Sequence, residues 1–251
     1  MKIGIVDSGL GGFSSFPDFL EKNFFLEYFY FADNLNFPYN SKEETFLLER
    51  INKIITFLEK IGCEKIFMAC NSVSVLLKKY PFSVDSKLIF VTENIYENIL
   101  KIENENLTTI IGTQHTINSN FYQKILAEKR IKHNAIATPF LAEIAEDFLV
   151  NKKVNKTLLK REFEKIIISK DQTLILACTH YSFLIKEIFI LFPEITIIDS
   201  NGVHFKSKKI LSEQKKFDFL KQVFCTKKSL SFELGVKKIV KKNVEILNIE
   251  L

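Results

Sequence analysis

The sequence predicts an α/β protein built from two copies of a mostly parallel unit. Three observations carry that expectation. Short, β-rich apolar runs alternate with amphipathic stretches along the 251 residues, and each run ends in small polar residues. That is the pattern of buried parallel strands joined by crossover helices. Ile66-Phe67-Met68-Ala69-Cys70-Asn71-Ser72-Val73-Ser74 is matched by Leu174-Ile175-Leu176-Ala177-Cys178-Thr179-His180-Tyr181-Ser182, at an offset of 108 residues. Ile3–Ser8 and Thr109–Gln114 are separated by about 106 residues. Two matches at nearly one period point to duplicated units.

The elements follow in order. Lys2–Val6 is the first strand and runs into Asp7-Ser8-Gly9-Leu10-Gly11-Gly12. Tyr28–Phe31 is the second, ending at Ala32-Asp33-Asn34. Glu43–Lys60 follows as an amphipathic helix with Phe46, Leu47, Ile51, Ile54, Ile55 and Leu58 on its apolar face. Lys65–Met68 leads into Ala69-Cys70-Asn71-Ser72, and Leu88–Val91 into Thr92-Glu93. In the second half Thr108–Ile111 leads into Gly112-Thr113-Gln114-His115-Thr116, Thr173–Leu176 into Ala177-Cys178-Thr179-His180, and Ile195–Ile198 into Asp199-Ser200-Asn201-Gly202. In parallel sheets ligands bind at the carboxyl ends of the strands, where each of these polar clusters falls.

Composition narrows the function. With 47% hydrophobic and 26% charged residues the chain is an ordinary globular sequence, and no apolar run reaches the ~18–20 residues of a membrane span. Asp7 and Ser8 cut the first apolar stretch too early for a signal peptide, so a cytoplasmic protein is expected. The net charge is +5, but Arg50, Arg130 and Arg161 are its only arginines, which argues against a nucleic-acid reader. Lys206–Lys242 holds 12 Lys against Glu213, Asp218 and Glu233, a run that reads either as an anion-facing or partner-binding patch or, by the more ordinary reading, as solvated helix faces. Cys63, Cys70, Cys178 and Cys225 show no zinc or redox spacing, and no metal site is expected.

Cys70 and Cys178 each end an apolar run. There a cysteine is either a small buried hydrophobe or a thiolate base. Asp7, at the end of the first strand, is a candidate partner for Cys70. His180 stands two residues after Cys178. Facing halves would place the thiols on two sides of a common cleft, and inversion at carbon requires one group to remove a proton while another delivers one to the opposite face. Cys63 and Cys225 read as hydrophobes, and His115, His133 and His204 as structural histidines. Asp7–Gly12 reads as a strand-to-helix turn whose amides could hold an anion, but no Gly-Lys-Ser/Thr follows to make it a P-loop.

Asp7-Ser8-Gly9-Leu10-Gly11-Gly12, Ala69-Cys70-Asn71-Ser72 and Ala177-Cys178-Thr179-His180-Tyr181, in this order and spacing, resemble the bacterial glutamate racemases of the aspartate/glutamate racemase family. Asp33-Asn34 with Pro38-Tyr39, Gly112–Ser119 and Thr138–Glu146 extend the resemblance over nearly the whole chain. It implies two pseudo-symmetric α/β domains, 1–92 plus 207–251 and 93–206, with mostly parallel sheets, helices on both faces and the active site in the interdomain cleft. It implies cofactor-independent interconversion of L- and D-glutamate, supplying D-glutamate for peptidoglycan. Cys70 and Cys178 would be the acid/base pair, assisted by Asp7 and by His180 with Glu146. Asp7, Ser8, Tyr39, Asn40, Asn71, Ser72, Thr113, Thr116, Thr179 and His180 would hold the substrate. The partner would be a small molecule, with neither nucleic acid nor membrane, and a homodimer stays open.

The sequence departs from the family at several points. Asn40 stands where the family has Gly, and Asn tolerates the positive φ such a turn uses. Ser72 replaces Thr and keeps the hydroxyl. Val73 replaces Ala and would narrow the cleft, while Ser182 replaces Pro. Pro139 and Glu143 alter the approach to Glu146, and Asp199-Ser200-Asn201 departs from the family's late turn. These changes leave open a racemase for aspartate or another amino acid, and a non-catalytic amino-acid-binding homologue.

Overall fold

The computed structural model describes residues 1–15, 27–81, 83–102, 107–152, 155–166, 172–205, 217 and 219–251. The strands are β1 (Lys2–Asp7), β2 (Glu27–Ala32), β3 (Cys63–Met68), β4 (Lys87–Phe90), β5 (Thr108–Gly112), β6 (His133–Ala137), β7 (Thr173–Ala177), β8 (Thr196–Asp199), β9 (Gly202–Phe205), β10 (Leu220–Cys225) and β11 (Glu245–Asn248). They form a six-stranded sheet, β11-β10-β2-β1-β3-β4, and a five-stranded sheet, β6-β5-β7-β8-β9. Among the described residues every pairing is parallel except β8 with β9.

The chain divides into two compact units, Met1–Val91 with Gln214–Leu251, and Thr92–Glu213. The boundary expected near residue 207 lies outside the described residues, as does part of the Lys206–Lys242 run and the side chain of His204. Within the first unit the order β2-β1-β3-β4 is that of a doubly wound sheet, and β6-β5-β7-β8 repeats it in the second. In each, the chain leaves the central strand (β1 or β5) to one side and returns on the other. The switch point, where the crevice of such a sheet opens, falls at the carboxyl ends of β1 and β3, and of β5 and β7.

In the first unit the helix Glu44–Lys60 buries Leu47, Ile51, Ile54, Ile55 and Leu58. Gly4 lets it approach the sheet, since a β-carbon there would meet Leu58 Cδ1 at 2.8 Å. The apolar face differs from the expected one at two positions. Phe46 is 40% exposed, whereas Arg50 is buried at 9%. Arg50 can turn inward because the carboxylate of Asp33 meets it there at 3.0 Å. Val73, expected to narrow a cleft, is packed in the core with Leu47, Ile51 and Met68, so its extra methyls fill the interior. In the second unit Ile110, Ile117, Tyr122, Leu126, Ile175 and Ile198 form the core. No helix among the described residues is long and apolar enough to cross a membrane.

Candidate active site

Within the first unit β1 and β3 run in register, Val6 beside Met68, and Ala69 N–H extends the ladder by donating to Val6 C=O at 2.9 Å. This delivers Asp7 and Cys70 at neighbouring strand ends. Cys70 is 7% exposed and caps the helix Asn71–Lys79 with an extended backbone. Unsatisfied N–H groups at a helix start favour negative charge. Ser74 holds the turn, its hydroxyl donating to Met68 C=O and its N–H to Cys70 C=O, both at 2.9 Å. Asn71 and Ser72 are buried in the first helical turn.

Asp7 is fully buried, and its Oδ1 accepts the Gly9 N–H at 2.9 Å. The Asp7–Gly12 turn therefore commits one of its amides to its own carboxylate, and the following helix, Gly11–Ser14, is a single 3₁₀ turn of four residues. Gly12 is there for packing: a β-carbon would lie 2.8 Å from the Tyr30 hydroxyl, 2.9 Å from Asp7 Cβ and 3.0 Å from Ala69 Cβ. Tyr30 donates to Gly9 C=O at 2.8 Å and stacks on Phe13 with ring centroids 3.9 Å apart. Ser8, within this turn, is buried.

Tyr39 is buried, and its hydroxyl donates to Asp33 Oδ2 at 2.8 Å. Burial first, then the Asp33 carboxylate and its hydrogen bond, then Cys70, push the phenol well above its ordinary range. Asn40 lies within the 3₁₀ turn Tyr39–Ser41. Among the described residues the non-glycine residues at positive φ are Asn120, Arg130, Lys152 and Lys241, so Asn40 is not among them. The positive φ anticipated for it is not used, and the turn accepts a side chain without strain.

The second unit repeats the design. Gly112 lies beside Ala177 in register, and a β-carbon on Gly112 would come within 3.2 Å of Ala177 C=O. Thr113 follows β5 and caps the helix Gln114–Asn118, accepting the Thr116 N–H at 3.3 Å and sharing a 3.0 Å hydrogen bond with the Thr116 hydroxyl. Cys178 follows β7, is 7% exposed and caps the 3₁₀ helix Thr179–Leu184, which continues into the helix Ile185–Leu191. Thr179 and His180 are buried. His180 Nε2 lies 2.9 Å from Glu146 Oε2, brought in by the helix Leu141–Asn151. Tyr181 donates to Thr138 C=O at 2.7 Å and accepts the Thr138 hydroxyl at 3.0 Å. Burial first, then Cys178, push the Tyr122 and Tyr181 phenols well above their ordinary range.

Cys63 and Cys225 differ in kind. Burial pushes the Cys63 thiol up to about 12 against the pull of Lys2, and it also raises Cys225. His133 Nδ1 is engaged by Ile131 C=O at 2.9 Å, a structural role. Among the described residues no group of three or more His, Cys, Asp or Glu side chains is placed to hold a metal ion. Sequence reasoning missed Thr138, Tyr122 and the Asp33–Arg50 pair. Thr138 meets Tyr181 across 43 residues, a contact no local pattern announces. Arg50 did carry a signal, a charged residue three positions after Leu47 on an otherwise apolar helix face.

No family model matches the chain. A glutamate racemase from Buchnera aphidicola subsp. Schizaphis graminum is 36% identical over 223 residues, covering 82% of this chain and 86% of that protein. One from Persephonella marina is 27% identical over 257 residues, covering 100% of this chain and 98% of its own length. Among solved structures, a glutamate racemase isoform from Bacillus anthracis superposes with a TM-score of 0.81 at 24% identity, covering 99% of this chain and 97% of that one, a likeness of fold.

Proposed function

The chain belongs to the glutamate racemase family, and from that premise we propose how its two cysteine turns divide the interconversion of L- and D-glutamate. One thiolate removes the proton from Cα, and the electron pair stays on the carbon. The thiol of the other cysteine gives its proton to the opposite face, and the enantiomer leaves. The first cysteine ends as a thiol and the second as a thiolate, so the next turnover runs most directly in reverse, or after proton exchange with water. Cys70 and Cys178 are the two groups in this reading.

Asp7 assists Cys70, held at its strand end by Gly9 and by the packing around Gly12. His180 assists Cys178, and Glu146 orients the imidazole. Ser8, Asn40, Asn71, Ser72, Thr113, Thr116 and Thr179 hold the substrate's carboxylates and ammonium, with Asp7 and His180, while Tyr39, whose hydroxyl proton is committed to Asp33, acts on the packing around Cys70. The product supplies D-glutamate for peptidoglycan. One observation carries this reading: the same strand end, cysteine and helix start are built twice, 108 residues apart, at the switch point of the same strand order.

Deuterium wash-in at Cα of L-glutamate in D2O, followed by NMR and chiral chromatography, tests it. The wild-type protein should exchange Cα–H and form D-glutamate, whereas Cys70→Ser and Cys178→Ser should form none. Retention of full racemisation by either variant would sink the assignment.

A further inference from the structure

Asp33 and Arg50 have no part in the chemistry above, yet both are buried charges, 0% and 9% exposed. Buried charges are tolerated only when paired and hydrogen-bonded. Here the pairing is nearly complete. The Asp33 carboxylate accepts from Arg50 Nη2 at 3.0 Å, Arg50 Nε at 3.1 Å, Asn36 Nδ2 at 3.1 Å and the Tyr39 hydroxyl at 2.8 Å. Arg50 Nη1 donates in turn to Leu251 C=O at 2.7 Å, so one side chain ties the β2 turn, the helix Glu44–Lys60 and the last residue together.

The end of this chain of contacts is Tyr39. Its only hydroxyl proton is committed to Asp33, which fixes the ring, and the ring packs in the same buried cluster as Cys70. A hydrogen-bonded network with its donors assigned holds one geometry. The network lies wholly within the first unit, and none of its members belongs to the unit that carries Cys178.

We propose that Asp33 and Arg50 are positioning residues for the Cys70 half of the reaction: through Tyr39 they fix the packing in which the Cys70 thiol sits, and they leave the Cys178 half untouched. The inference rests on the two-thiol reading. It predicts a one-sided defect, which neither a general loss of stability nor a lost substrate contact would give.

The test uses a glutamate analogue carrying a leaving group on Cβ. A single thiolate removes the Cα proton, the freed pair forms the Cα–Cβ double bond, and the leaving group departs as its anion. Cys178→Ser leaves Cys70 as the only base and Cys70→Ser leaves Cys178, so each variant should eliminate from one enantiomer, and the two preferences should be opposite. Arg50→Gln should slow elimination about 10- to 100-fold in the Cys178→Ser background, the scale of a small misplacement of a reacting group. In the Cys70→Ser background it should leave the rate within about twofold, which also shows that the protein is folded. Tyr39→Phe, which removes one hydroxyl and keeps the ring, should repeat the one-sided loss, and Arg50→Lys should recover part of it. Equal losses in both backgrounds, or none in either, would overturn the proposal. Single-cysteine variants with the same enantiomer preference would instead overturn the two-thiol reading, and the proposal with it.

Discussion

Replacing Gly12 with Ala puts a methyl carbon 2.8 Å from the Tyr30 hydroxyl, 2.9 Å from Asp7 Cβ and 3.0 Å from Ala69 Cβ. Each contact is about 0.5–1 Å inside a comfortable separation. None of the three neighbours can swing away. Tyr30 is held by its 2.8 Å hydrogen bond to Gly9 C=O and by the Phe13 ring, and the other two atoms are β-carbons fixed to the ends of adjacent strands. Overpacking a filled interior typically costs ~1–3 kcal/mol. With three simultaneous overlaps and no flexible partner, a loss near the top of that range is expected, about 3 kcal/mol or roughly 150-fold in the folded-to-unfolded ratio. Asp7 is among the displaced groups, so kcat/KM should fall as well. Urea unfolding followed by near-ultraviolet circular dichroism, with racemisation measured in native buffer, reads both effects. Gly202→Ala is the control: φ is +139° and nothing lies within 4 Å, so only backbone strain of about 1–2 kcal/mol applies and activity should persist. A Gly12→Ala protein within 0.5 kcal/mol of wild type, by the usual scale of a neutral substitution, would refute the close-packing account of this turn.

Other outcomes follow from the same geometry. His180→Asn should lower kcat/KM by roughly 10²–10⁴-fold, the range for losing an acid/base group. Glu146→Gln keeps the shape but weakens a charged hydrogen bond by about 1.4 kcal/mol, so its loss should be near tenfold; a Glu146→Gln defect as large as that of His180→Asn would show that Glu146 does more than orient the ring. Iodoacetamide at pH 8 with mass-spectrometric mapping should modify Cys70 and Cys178 before Cys63, since a thiol pushed up to about 12 is ionised there only to about one part in 10⁴. Cys63 labelled first would contradict that order. Above pH 9 the unfolded chain ionises Cys63 while the folded one does not, so this thiol's contribution to stability is lost as pH rises from its ordinary 9.0 towards 12. Cys63→Ala should flatten that alkaline decline in urea midpoints, and an unchanged slope would argue against it.

The parallel α/β class, the duplication and the two cysteine turns were legible because their causes are local. Apolar runs ending in small polar residues mark buried strands, and a repeated nine-residue segment survives in the letters themselves. Strands such as β6, β10 and β11 were not read. His133–Ala137 and Glu245–Asn248 are short, half-exposed edge strands whose residues resemble those of loops.

By itself the sequence determined which residue types are available at the strand ends: Asp7, Cys70, Cys178 and His180. Tertiary structure alone decided how they are supported. Gly12 reads as a flexible turn residue until Tyr30, Asp7 and Ala69 are seen crowding it. Arg50 reads as a misplaced charge on a helix until Asp33 meets it, 17 residues away, and Leu251, 201 residues away. Asn40 reads as a substitute for a left-handed glycine until the 3₁₀ turn shows an ordinary backbone. The physical reason is one of range. Strand and helix propensities act over a few residues, whereas the pairing of a buried charge and the clearance around a β-carbon depend on atoms that only folding brings together.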